Sequence, residues 1–151
     1  KFGALYASGR GVEKSPAQAL RWYLRSAKQG YAPAQHEVAG LYGSGQGVKQ
    51  DLAEAARWYR RAAQQGHVPA QYSLGLMYYN GQGVRQDNVQ AHLWFSLAAE
   101  GGEMEAVSQR DVVTKLMSPE DIAKAEQLAS KWRAARPAPQ ARRSRYLDPD
   151  Q

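Results

Sequence analysis

A 36-residue period constrains this chain more than any other feature. Gly11-Val12, Gly47-Val48 and Gly83-Val84 recur at that spacing, as do Trp22, Trp58 and Trp94; Ala27, Ala63 and Ala99; and Gly30, Gly66 and Gly102. Residues 1–30 share 15 identities with residues 37–66, and residues 31–66 share 15 of 36 with residues 67–102, with no gap. Unrelated segments of that length would share roughly two. A unit this short cannot bury its own apolar face, so the period dictates a stacked array in which each unit completes its neighbour's core.

Each unit reads as two helices. "PAQHEVAGLYGS" predicts a helix from Pro33 to about Ser44, because proline suits the first turn and Val38, Leu41 and Tyr42 fall on one face. Gly45 and Gly47 are expected to end it, glycine taking the left-handed conformation without a Cβ clash. Asp51 then stands where an N-cap belongs, with Glu54 three residues on. The second helix, "LAEAARWYRRAAQQ", sets Ala55, Trp58, Tyr59 and Ala62 along one stripe; Gly66 stops it and Pro69 opens the next unit. Small residues at 27, 55, 62, 63, 91, 98 and 99 allow close helix approach, each opposed by a Trp or Tyr.

Composition bounds the chemistry. At 151 residues and 43% hydrophobic, the chain can bury one core of ordinary domain size. No apolar run approaches the roughly 18–20 residues that cross a bilayer. The absence of cysteine excludes disulfides, thiolate metal sites and a cysteine nucleophile. The formal charge of +6 is uneven. Lys131, Arg133, Arg136, Arg142, Arg143 and Arg145 face only Asp148 and Asp150 in the last stretch, so the body is nearly neutral and lacks the basic stripe of a nucleic-acid binder.

The run "AQYSLGLMYYNGQGVRQDNVQAHLWFSLAAEGG" at 70–102, with its counterparts at 34–66 and 1–30, resembles the Sel-one-like repeat family of tetratricopeptide-like α-solenoids. The resemblance implies an all-α, right-handed superhelix of about four helix-turn-helix repeats of 36 residues. The units are expected at about 1–30, 31–66 and 67–102, closed by a capping helix pair at 103–135 and followed by a Pro/Arg-rich tail, 136–151. In the cap, "MSPED" replaces the glycine turn: Ser118 can cap, Pro119 suits N1 and Asp121 can complete the box. Ile122, Ala125, Leu128, Ala129 and Trp132 form the apolar face of the last helix. Lys1 aligns with Glu37, so the leading unit is expected to lack its first residues.

The resemblance further implies a non-catalytic scaffold or adaptor that takes a peptide or partner protein in its concave groove. It implies a regulatory role in a bacterial envelope or signalling system, with the periplasm or cell envelope favoured over the cytoplasm.

Candidate sites divide cleanly. "GLYGSGQGVKQD" looks like a phosphate-cradling loop, but it recurs between two helices, never follows a strand and carries Asp51 where an anion would sit. "HEVAG" at His36 begins a zinc motif, yet Gly40 occupies the second histidine position and His67 and His92 fall at other repeat positions. Ser26, Ser73, Ser96, Ser108, Ser118 and Ser130 lack the lysine of an S-x-x-K acylase. No catalytic residue, metal, cofactor or small-molecule substrate is therefore expected.

The positions that escape the repeat's packing demands are more informative. In tetratricopeptide-like units the first helix lines the groove, which places His36, Gly40, Gly43 and Ser44 there in one unit and Tyr72, Leu76, Tyr79 and Asn80 in the next. Tyr72 and Tyr79 share a face with Leu76 between them, a stripe suited either to binding an apolar or aromatic peptide or to packing on the adjacent repeat. Arg57, Arg60 and Arg61, with Arg21 and Arg25, read as a solvated outer face. The tail "RPAPQARRSRY" supplies the alternative function, nucleic-acid or polyanion binding, beside the readings of an idle linker or a ligand for another protein's groove.

Overall fold

Two kinds of helix start alternate along the chain, and they fix its periodicity in space. In a computed structural model that describes residues 15–136, seven helices follow one another with no strand among the described residues. They are α1 (Pro16–Lys28), α2 (Ala32–Ser44), α3 (Leu52–Gln64), α4 (Val68–Asn80), α5 (Asn88–Glu100), α6 (Met104–Thr114) and α7 (Pro119–Ala134). Residues 1–14, which hold the start of the first expected unit, and 137–151, nearly all of the expected tail, lie outside the described residues.

The second helices of the units, α1, α3 and α5, are capped by side chains. Ser15 Oγ accepts from Gln18 N at 3.2 Å, Asp51 Oδ1 from Glu54 N at 3.0 Å, and Asp87 Oδ1 from Val89 N and Gln90 N at 2.9 and 3.2 Å. Each cap satisfies amide donors that the helix itself leaves orphaned. The first helices α2 and α4 begin after Tyr31 and His67 without a side-chain cap and carry proline in the first turn. The last helix uses Ser118, whose Oγ accepts from Asp121 N at 3.1 Å.

The glycines of the turn divide the work more finely than expected. Gly45 and Gly81, at φ +74° and +68°, end α2 and α4 by donating to Leu41 O and Met77 O. Gly47 and Gly83 do not end a helix. They also have positive φ, and a Cβ there would lie 2.5 Å from Ala17 N or 2.2 Å from Leu52 O. The second glycine of each turn is thus pressed against the first turn of the preceding unit's second helix, joining one repeat to the next.

Side-chain amides repeat as faithfully. Gln35 Nε2 donates to Ala27 O at 3.1 Å and Gln71 Nε2 to Ala63 O at 3.2 Å, both buried. Each glutamine adds a side-chain donor to a carbonyl at the end of the preceding helix that also accepts from the following glycine, Gly30 N or Gly66 N. The core is correspondingly elongated, passing from Leu20, Val38 and Trp58 to Leu74, Tyr78, Trp94 and Phe95 and on to Val113 and Ala129. Of the small residues in the pattern, the alanines at 27, 55, 62, 63, 91 and 98 are buried, and Ala99 is half-buried. Trp58 and Trp94 are buried at equivalent positions, and neither indole N–H finds an acceptor in the protein.

The end of the array departs from the repeat. Each of α2 to α6 packs on its predecessor, but α7 packs on α5 instead of pairing with α6. The reason lies in α5. Where α3 presents Arg57 and Arg61 to solvent, α5 has Leu93 and Leu97, 6% and 4% exposed. Ala125 and Ala129 of α7 are buried, and Trp132 meets Trp94 edge-on at 6.4 Å. Arg133 holds Glu100 with two bonds of 2.9 and 2.8 Å. Arg136 lies over Trp132 and donates to the carbonyls of Gln64 and Gln65 at the end of α3. The final helix is a strap over the outer side of the last full repeat.

Candidate functional site

The stacking leaves one strip of each first helix without a packing role. On α2 this strip holds His36, Gly40 and Ser44; on α4, Tyr72, Leu76 and Asn80; none of the six is fully buried, and Ser44 and Asn80 are exposed. Ser108, Val112 and Leu116 continue the same register 36 residues on, all exposed. Intervening positions such as Val38, Ala39, Leu74, Gly75 and Val113 are buried. The strip is the side of the solenoid that its own side chains do not consume.

Its centre is aromatic. Tyr72 is half-buried, its ring 5.8 Å from that of the buried Phe95 and tilted by 49°. Burial, then the neighbouring Glu105 and Glu103 carboxylates, push its hydroxyl above the ordinary phenol range. Leu76 and Tyr79 are half-buried against the main core. The Tyr–Leu–Tyr stripe therefore does part of the packing and still offers surface. Ser44 Oγ donates back to Gly40 O at 2.9 Å, so its hydroxyl is already engaged within the helix.

Aromatics of the second helices reach up between the first helices, a feature that stripe-reading on single helices missed. The Tyr59 hydroxyl lies 3.8 Å from where a Cβ on Gly40 would stand, and it is hydrogen-bonded to Ser73. Burial raises its pKa. Phe95 occupies the equivalent place one repeat on, where a Cβ at Gly75 would lie only 2.7 Å from its ring. The signal was present as aromatics at 23, 59 and 95, at the period of the tryptophans and one residue after them.

His36 and His67 are brought together although their repeat positions differ. Their rings stand edge-on with centroids 5.4 Å apart, and His36 makes a similar contact with Tyr59 at 5.4 Å. Residue 67 immediately precedes α4, and stacking sets that helix start beside the first turns of α2. Burial lowers both imidazole pKa values, and His67 is lowered further by His36. No third His, Cys, Asp or Glu joins the pair in a group able to hold an ion among the described residues.

His92 and Ser96 form a second unexpected pair, Oγ to Nδ1 3.4 Å, one turn apart on α5 and both buried. With Arg110 and Glu126 as charged neighbours of His92, the pair sits inside a closed helix interface and has no open side for a substrate. The arginines of the outer face are more structured than a solvated run. Arg25 covers Trp22, Arg61 covers Trp58 at 4.5 Å and Arg60 covers Tyr78, while Arg57 pairs with Glu54 at 2.6 Å.

Stacked helix pairs with an unconsumed strip along the first helices define an α-solenoid of the tetratricopeptide-like kind, the fold of a family of repeat scaffolds. Three consecutive stretches, residues 3–31, 32–67 and 68–103, match the Sel1 repeat, and the chain belongs to that family. A Sel1 repeat protein from Oxalobacter formigenes is 37% identical with a TM-score of 0.72, covering 74% of this chain and 46% of its own. The protective antigen c5321 of uropathogenic Escherichia coli, which displays the same fold, is 42% identical with a TM-score of 0.70, covering 72% of this chain and 23% of its own. Cysteine-rich protein B of Helicobacter pylori shares the fold at 24% identity with a TM-score of 0.59, over 60% of this chain and 68% of its own. This chain thus spans less than half the length of the first two. No curated protein matches it. No described helix is long and apolar enough to cross a membrane.

Proposed function

We propose that the chain is an adaptor that binds a peptide or a face of a partner protein along the open strip of α2, α4 and α6, with no reaction of its own. Proteins of this repeat family act in general as protein-interaction scaffolds. The observation that carries the reading here is the divergence of the strip. Between α2 and α4 the buried positions keep their character, Val38 matching Leu74 and Ala39 matching Gly75, whereas His36, Gly40 and Ser44 become Tyr72, Leu76 and Asn80. Packing does not fix these residues, so recognition is free to.

The strip's chemistry favours an apolar or aromatic segment as ligand, because Tyr72, Leu76, Tyr79 and Val112 offer hydrocarbon surface with a few polar groups around it. The named relatives are bacterial, and we carry the role in a bacterial envelope or signalling system as part of the same proposal. Capture from a bacterial lysate by the parent chain and by Tyr72→Ala/Tyr79→Ala tests the reading, each with its melting curve. Because both rings also pack on the core, the double variant is expected to melt somewhat earlier, and capture is compared well below its own Tm. A partner lost there by the folded double variant supports the reading, and one that keeps every partner refutes the stripe as the recognition element.

A further inference from the structure

The outer side of the second helices already holds one helix. On α5, Leu93 and Leu97 are covered by α7, and Glu100 at the end of α5 accepts the two bonds from Arg133. The same three positions can be followed back along the array at the 36-residue period. They hold Arg57, Arg61 and Gln64 on α3 and Arg21, Arg25 and Lys28 on α1, all exposed. The back of the stack is thus one repeated surface, covered by a helix on α5 and uncovered on α3 and α1. Where the covered surface is apolar and ends in an acid, that of α1 is basic throughout.

Charge follows the same division. Helix α1 has no acidic residue, and α3 sets Glu54 against Arg57, Arg60 and Arg61. Helix α5 has no Lys or Arg, and in α7 Glu120, Asp121 and Glu126 balance Lys124, Lys131 and Arg133. The basic surface is therefore confined to α1 and α3, and the near neutrality of the body averages over it.

The cations of this surface are not equivalent. Arg57 pairs with Glu54, and the half-buried Arg60 donates to the Tyr78 hydroxyl. Arg25 and Arg61 each lie over the tryptophan three residues before them, 5.2 and 4.5 Å from the ring centroid. Stacking occupies the flat face of a guanidinium and leaves its N–H edge, which carries the donors, for a carboxylate. Side chains held in this way lose less freedom when an acid pairs with them. Arg21 and Arg25 stand one turn apart, the spacing of two carboxylates at i and i+4 on a facing helix. Trp22, 37% exposed, supplies apolar contact beside them.

We propose that the outer face of α1 and α3 is a second partner-binding surface, separate from the strip, and that it takes a helix of a partner protein with Asp or Glu one turn apart. The partner helix lies against the same positions that α7 covers on α5. It brings carboxylates in place of the apolar residues and the arginine that α7 brings there, because the positions it meets are Arg21, Arg25, Lys28 and Arg61 in place of leucines and a glutamate.

The α7 sequence itself supplies the probe. A peptide of Pro119–Ala134 carrying Ala125→Glu, Ala129→Glu and Arg133→Glu, stapled as a helix on its opposite face, is titrated into the full chain while backbone amide signals are followed. The stapled peptide without the three substitutions is the control. The expected result is a set of shifts confined to α1 and α3, with α2, α4 and α6 spared, that the control does not produce. Arg21→Gln/Arg25→Gln/Arg61→Gln, all at exposed positions, should weaken binding about tenfold or more in a chain whose amide spectrum shows it folded. Raising the salt from about 0.1 M to 1 M, which shortens the Debye length from about 10 to 3 Å, should weaken it as well. No shifts, shifts on the strip, or binding that the triple variant retains would overturn the proposal. So would tighter binding of a DNA oligonucleotide of equal charge over the same residues, which would make the face a nucleic-acid surface. Because no strip residue is involved, failure here leaves the reading of the strip untouched.

Discussion

Helices α3 and α5 occupy the same place in successive repeats and part company on their outer faces. Both bury a tryptophan, Trp58 and Trp94, and both start at an aspartate cap. Yet α3 shows Arg57 and Arg61 to solvent, whereas α5 hides Leu93 and Leu97 under α7. The array ends where two arginines become leucines. A repeat with a charged back is left bare, and a repeat with an apolar back must be covered. The difference also separates two kinds of stability, one shared between units along the stack and one supplied from behind by the strap.

Making α5 resemble α3 should have the largest effect. Leu93→Arg/Leu97→Arg puts two charges into the α5–α7 interface, at a cost on the order of 4 kcal/mol or more. Limited proteolysis should then cut before α7, while Arg57→Leu/Arg61→Leu leaves α7 protected. Trp58→Ala removes a packed aromatic from the inter-repeat core, with an expected loss of about 3–5 kcal/mol in denaturant melts. A melt indistinguishable from the parent would show that the stack does not depend on that contact.

Turn glycines give a finer version of the same test. Gly83→Ala must displace the Leu52 carbonyl and adopt a left-handed backbone, about 2–4 kcal/mol. Gly81→Ala meets chiefly the Gln86 side chain and backbone, and should cost only about 1–2 kcal/mol, mostly for the backbone conformation.

The smallest effect expected is one of pH. Burial lowers the pKa of His36, His67 and His92 below the usual imidazole value, so the unfolded chain binds protons that the folded chain resists. Stability should be full above about pH 6.5 and decline as the pH falls below it. His36→Gln/His67→Gln should flatten the part of the decline that belongs to the α2–α4 junction, and His92→Gln the part beneath the strap. Equal slopes for parent and variants from pH 7.5 to 5 would contradict this assignment.

What could be read from the chain follows the range of the forces involved. Caps at Asp51 and Ser118, the helix ends at Gly45 and Gly66, and the buried stripe of Ala55, Trp58 and Ala62 are set by neighbours within a few residues, and all stand where the sequence places them. Relations between units were harder to see. Nothing local announces that Gly47 and Gly83 abut the preceding helix, or that His67 meets His36 across a repeat boundary. The folding-back of α7 was legible in principle, because Leu93 and Leu97 break the arginine pattern of the outer face. Aligning repeats by what they share passes over what one of them changes. The candidate strip was legible as a set of positions, but its floor was not, since Tyr59 and Phe95 come from helices other than the ones that line it.

The strap also determines how the molecule carries load. A pull on the chain beyond Arg136 falls first on α7, which is fastened to α5 through Glu100 and Trp94 and to the end of α3 through Gln64 and Gln65. Tension entering at this end is shared across two repeats at once, and α6 is bypassed until the strap tears free. A tether there would therefore yield in one abrupt step, whereas the opposite end of the stack can give way unit by unit.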